Sequence, residues 1–260
     1  MFYGIEDPED SDAATGHADA IKLLYKKNEI PLLHCDNMMI SFRNFTFLKD
    51  KSFVDNVLNR VQENDTEFSK IWRLHTYVWC CTNALNLPGD LVECGVHKGL
   101  YSSVMLSQID LSAKGKKIYL YDTFTGLDER YSTPRERDQA EVSYQIESWE
   151  QDVRKTFSEW PQAIVVKGAV PDSLAETAPD QVAFLHLDMN AAAAEIAALD
   201  FLEPRLVNGA QILLDDFGRL ENKEICPAMQ SWFGKRNLPI LELPTGQGLV
   251  VWQASNQEHS

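Results

Sequence analysis

Positive charge is scarce in this chain. It has 24 Lys and Arg against 39 Asp and Glu, a formal net charge of −15. So acidic a surface repels phosphate backbones and anionic headgroups, which argues against nucleic acid or a membrane as partner. Cysteine pairing is missing as well. Cys35, Cys80, Cys81, Cys94 and Cys226 make an odd number with no C-x-x-C spacing. That excludes a disulfide scaffold or zinc site as the expected reading and fits free thiols in a reducing cytosol. No apolar run is long enough to span a bilayer. The opening MFYGIEDPEDSDAATG lacks the apolar core of a signal peptide, so the expected location is cytoplasmic. The G-x-G-x-x-G dinucleotide fingerprint is also absent, which counts against a nicotinamide-dependent reductase.

What is present is an alternation of apolar strands and helices. Residues 1–18 read as a loose arm. Asp19 is a plausible cap for a short helix from Ala20, and PLLHCDNMMISFRNFTFLKD after it reads as irregular but packed. Phe53, Val57 and Val61 share a face of a helix over 52–64. A second helix over 68–85, capped at Thr66, is apolar nearly all round and therefore buried, with His75 packed inside it. After Pro88-Gly89 the period changes. Strands are predicted at 90–94, 116–121, 162–167, 182–187 and 210–214, with helices between them, which is the pattern of a doubly wound, mostly parallel α/β sheet. Two further strands, 239–243 and 248–252, flank a short turn and form a C-terminal antiparallel hairpin. The segment 126–160 is long for a βα connection and contains a helix over 142–157. A lid and a plain surface insertion both fit that length.

Val182 to Phe217 organises the rest. It is a βαβ unit whose two parallel strands end in Asp188 and in Asp215-Asp216, with Asn208-Gly209 as the turn into the second strand. Ligands of open α/β sheets bind at that carboxyl edge. Solvated strand-end acids and a site for a hard divalent cation such as Mg²⁺ both fit the pattern. His186 has the same parity as Asp188 and reads as a core residue beneath it. A second loop, Glu93-Cys-Gly95-Val-His-Lys-Gly99, follows the first strand and opens a helix. Its glycines permit close approach of a ligand, or simply close packing of helix on strand. The acid two residues before Gly95 suits an ammonium-bearing ligand and repels a pyrophosphate, which favours S-adenosylmethionine over NAD. Asp122 lies 27 positions after Gly95, at the end of the next strand, where a carboxylate accepts ribose hydroxyls.

These stretches (LPGDLVECGVHKG, YLYDTFTGL, VKGAVPDSL, FLHLDMN and RLVNGAQILLDDFG) resemble the macrocin O-methyltransferase-like group of class I S-adenosylmethionine-dependent enzymes. The resemblance covers about 87–218. It implies a Rossmann-like methyltransferase domain over 87–255 with a lid insertion at about 126–150, and an N-terminal arm and helices over 1–86 packed on it. It implies S-adenosylmethionine and Mg²⁺, and a small hydroxylated acceptor such as a sugar of a natural product. Glu93, Gly95, Gly99, Tyr101, Ser102, Asp122 and Gly168 become the cofactor-binding set. Asp188, Asp215 and Asp216 become the metal ligands, with Asp188 also the catalytic base. The apolar N-terminal region suggests self-association as a homo-oligomer, a dimer being the simplest. One departure stands out. Where the group reads D-x-D-L-Y-E, this chain has Asp188-Met189-Asn190 and then four alanines. Acceptor contacts on that helix are therefore expected to differ. A non-catalytic binder of S-adenosylmethionine or S-adenosylhomocysteine is the alternative.

Overall fold

A computed structural model describes residues 32–36, 38–41, 43–61, 70–143 and 149–253. The predicted cap at Asp19, the helix from Ala20 and the cap at Thr66 lie outside these residues. The stretch read as irregular contains an antiparallel hairpin, β1 (Leu32–Cys35) and β2 (Met38–Ser41), in which Cys35 pairs with Met38. Asp36 takes a left-handed φ of 49° there, as tight hairpin turns require. Helices α1 (Lys51–Arg60) and α2 (Ile71–Ala84) follow. Asp50 caps α1 by accepting from the Phe53 amide at 3.2 Å, which satisfies one of its unpaired first-turn donors.

The sheet has seven strands, β3 (Asp90–Cys94), β4 (Ile118–Asp122), β5 (Ala163–Lys167), β6 (Val182–Leu187), β7 (Leu206–Leu214), β8 (Leu241–Glu242) and β9 (Gly248–Val251). Their spatial order is β5-β4-β3-β6-β7-β9-β8. The first five run parallel, and β9 inserts antiparallel between β7 and β8. The intervening helices are α3 (Leu100–Leu106), α4 (Pro134–Ser143), α5 (Glu150–Phe157), α6 (Asp172–Thr177), α7 (Ala192–Leu202) and α8 (Ile225–Gly234). Two details differ from the sequence reading. The segment 126–160 carries two helices, α4 and α5, separated by residues outside the described set. Strand β7 begins at Leu206, so Asn208 and Gly209 lie within it, at a register irregularity opposite Val182 and Phe184. Gly209, at φ 86°, absorbs that irregularity.

Period-two burial sorts the strands into two cores. Leu91, Ile118, Leu120, Phe184 and Leu213 face α1, α2 and α3. Val92, Tyr121, Leu185, Leu187, Ile212 and Leu214 face α6, α7 and α8. Each fully buried Leu, Val or Phe contributes about 1.5–3 kcal/mol. The N-terminal helices thus share one core with the sheet: Phe53, Val57, Ile71, Leu74 and Tyr77 are all buried in it. No helix among the described residues is long and apolar enough to cross a membrane.

Candidate active site

The carboxyl ends of β3, β4, β5, β6 and β7 open into one cavity of about 570 Å³, within the range usual for small-molecule sites. Gly95, Tyr101, Asp122, Gly168, Asp188, Asp215 and Asp216 all line it. Glu93, Gly99 and Ser102 are not in its wall, and each has a packing reason. Glu93 is 1% exposed and accepts from Tyr77 Oη at 3.1 Å and from Ser102 Oγ. These residues pack behind Tyr101, which does line the cavity. Gly99 has φ 80°, and a Cβ there would lie 2.6 Å from the Phe157 ring. Gly95 lines the cavity but is constrained from behind: at φ 92°, its Cβ would fall 1.9 Å from the Asp188 carbonyl oxygen. The first glycine of the loop is therefore what allows β3 to approach the end of β6.

Asp122 organises the same loop. Its Oδ2 accepts from the Val96 and His97 amides at 2.7 and 2.8 Å, and its Oδ1 from Phe124 N at 2.7 Å. A carboxylate has about four acceptor positions, so three bonds leave it able to take one more donor from the cavity.

A charged network runs behind this wall on one face of the sheet. Glu93 and His186 are register partners, and Leu213, the partner of His186 on β7, precedes Asp215 by two. All share one parity. His186 is fully buried, with Nδ1 3.4 Å from Glu93 and Nε2 3.5 Å from Asp215. Neither ring nitrogen is in hydrogen-bond geometry, so the contact is electrostatic. Burial disfavours a charge on the ring, but Asp215 and Glu93 outweigh it and raise its pKa to about 10. Arg73 of α2, absent from every motif in the sequence, enters the same network. It is 2% exposed and bonds Asp215 Oδ2 at 2.5 Å, Asp36 at 2.6 Å and the Thr245 carbonyl at 3.1 Å. Tyr101 Oη and Gln247 Nε2 donate to Asp215 Oδ1 at 3.1 and 2.8 Å. The signal was available: a guanidinium inside a nearly all-apolar helix must find a buried carboxylate.

The three aspartates therefore differ. Burial raises the pKa of Asp215, yet Arg73 and His186 prevail and hold it below the usual range. Asp216 is pushed up to about 6 by burial and by Asp215. Asp188 is held well above the ordinary carboxylate range by burial, Asp215 and Asp216. Glu195 of α7, 1% exposed, is raised likewise, by burial and then by Asp216. Asp216 Oδ2 is buried without a hydrogen-bond partner. Crowded carboxylates with one orphan oxygen suit a hard cation. His186, Asp188 and Asp215 also each offer a donor atom, all within 4.8 Å of one another. Asp215 already accepts from Arg73, Tyr101 and Gln247, which by the same count leaves it one acceptor position. Asp216 Oδ1 lies 3.9 Å from Arg73 and 3.8 Å from Arg219.

A seven-stranded sheet in this order, with its cavity at the carboxyl edge, is the fold of class I S-adenosylmethionine-dependent O-methyltransferases. Two solved structures share it. The O-methyltransferase NovP superposes with a TM-score of 0.61 at 21% identity, over 71% of this chain and 81% of that one. The calicheamicin methyltransferase CalS11 gives 0.59 at 18%, over 98% and 100%. The family model for macrocin-O-methyltransferase (TylF) matches residues 72–240, and the chain belongs to that family. A Streptomyces olivaceus protein, 8-demethyl-8-(2,3-dimethoxy-alpha-L-rhamnosyl)-tetracenomycin-C 4'-O-methyltransferase, is 28% identical over 158 residues, 56% of this chain. The alignment spans 60% of that relative's length.

Proposed function

We propose that this protein transfers a methyl group from S-adenosylmethionine to a hydroxyl on a small natural product, the sugar of a glycoside being the preferred acceptor. The observation that carries this reading is the convergence of Gly95, Asp122 and Gly168 with Asp188 and Asp216 on one cavity. The first three suit a nucleoside-bearing donor and the last two the acceptor end. The sugar acceptor rests on the family and on the rhamnoside named for the Streptomyces relative. Asp122 takes a ribose hydroxyl with its remaining acceptor position. Gly95 and Tyr101 border the methionine end, and Glu93, Gly99 and Ser102 fix that wall from beneath. Asp188 accepts the proton of the acceptor hydroxyl.

Asp188, Asp215 and Asp216 would hold a divalent cation, Mg²⁺ being the hard-oxygen choice. When bound, such an ion supplies acidity to a coordinated hydroxyl. Arg73 keeps Asp215 ionised and fixed. Positioning donor and acceptor in one cavity supplies the remainder of the catalysis.

Calorimetric titration with S-adenosylhomocysteine tests the donor site, and absence of binding overturns it. Methylation of rhamnosylated acceptors, read by mass spectrometry, tests the transfer. Excess EDTA and Asp216→Asn should each lower that rate at least tenfold, and full activity in EDTA refutes the metal. Donor binding with no glycoside methylated across a broad panel would instead mark a non-catalytic binder.

A further inference from the structure

Helix α7 starts beside Asp188 and Asn190 without a cap of its own. Ala191 holds the cap position at φ −144° and ψ 111°, with no side-chain bond. The partner for the first amide comes from the segment between β4 and α5. Glu136 Oε1 accepts from the Ala192 amide at 3.0 Å. Its Oε2 closes the capping box of α4, accepting from Thr133 N at 2.7 Å and Thr133 Oγ1 at 2.9 Å, while Glu136 N donates to Thr133 Oγ1 at 3.2 Å. One carboxylate thus serves the N-termini of two helices. Glu136 is 6% exposed although its helix, PRERDQAEVS, is strongly polar. A second bond from α4 to the body, Arg135 to Glu224 at 2.6 Å, lies at the surface, where such pairs hold little.

We propose that Glu136 is a positioning residue: through the Ala192 amide it seats α4 on the start of α7, and so builds the cavity wall that faces Asp188 and Asn190. Glu136, Gln139 and Ala140 of α4 line the cavity in that position. The alanines at 191–194 gain a role, because none carries a side chain able to cap the amide end that Glu136 occupies. The ligand part of this inference rests on the donor site proposed above, and the seat itself does not.

Two substitutions break the same bond from opposite sides. Glu136→Ala removes the acceptor, and the α4 capping box with it. Ala192→Pro removes the amide hydrogen at the first helical position, where proline is tolerated, and leaves the α4 capping box intact. Ala191 already has the extended backbone that a following proline demands. Hydrogen exchange by mass spectrometry on the ligand-free protein should show amides over 134–143 exchanging at least tenfold faster in both variants, with 196–202 unchanged. Unchanged exchange over 134–143 in Ala192→Pro overturns the proposal, because the capping box alone would then hold the helix. With S-adenosylhomocysteine as probe, both variants should release it at least tenfold faster with association within twofold of wild type. Equal release rates overturn the claim that the seat builds the cavity wall around the donor. A wild-type protein that does not bind the probe refutes the donor site, while the exchange result still judges the seat.

Discussion

Replacing Arg73 by methionine should cost about 3–5 kcal/mol of folding stability, the usual loss when one member of a buried ion pair is removed. The structure supports that magnitude. The side chains of Arg73, Asp215 and Asp36 are 2%, 4% and 6% exposed, so solvent screens little of the pairing. Two unit charges about 4 Å apart interact by about 4 kcal/mol at an effective dielectric constant of about 20. Methionine fills comparable volume, so the cost is mainly that of Asp215, beside Asp188 and Asp216, losing the stronger of its two cationic neighbours. Urea unfolding followed by tryptophan fluorescence measures it. With a slope of roughly 3 kcal/mol/M, the midpoint should fall by about 1 M or more. The double variant Arg73→Met/Asp215→Asn should regain at least about 2 kcal/mol, because it removes the stranded charge along with its partner. A loss below about 1 kcal/mol in the single variant, or no recovery in the double, would refute the view that Arg73 is the permanent counter-charge of Asp215.

Gly95→Ala should destabilise by more than about 2 kcal/mol and abolish S-adenosylhomocysteine binding in calorimetry, since the new methyl meets the Asp188 carbonyl in a backbone conformation that side chains disfavour. Thiol titration with an aromatic disulfide at pH 8 should modify only Cys226 rapidly in the native protein, and all five cysteines in urea. Burial pushes the Cys80 thiol up to about 12 and raises Cys81 and Cys94 as well, and Cys226 alone is half-buried. Rapid native labelling of Cys80 or Cys94 would show that the helix α2 and strand β3 packing is wrong. Tyr77→Phe should lower stability by about 1–3 kcal/mol by leaving Glu93 and Ser102 one donor short in a buried site.

The linear sequence determined the architecture because its signals are local. Apolar runs bounded by turn residues fixed β3 and β6 to the residue, and their alternation with helices required parallel strands whose ends share one edge. Asp122, Asp188, Asp215 and Asp216 could therefore be placed together before any coordinates, each being the acid where a strand stops. The parity that puts His186 beneath Asp188 was equally legible. Tertiary structure decided what the sequence holds far apart. Arg73 reaches Asp215 across 142 positions and Gln247 across 32, contacts set by how α2 and the C-terminal hairpin pack on the sheet. The register of β3 on β6 set Glu93 beside His186 in a buried network that the sequence alone does not show. The hairpin at Leu32–Ser41 was missed because Asp36-Asn37 gives only a short turn signal between short apolar runs. Long-range pairing leaves no periodic trace along a chain. A buried charge in an apolar helix says that a partner exists, and only the packed fold says which.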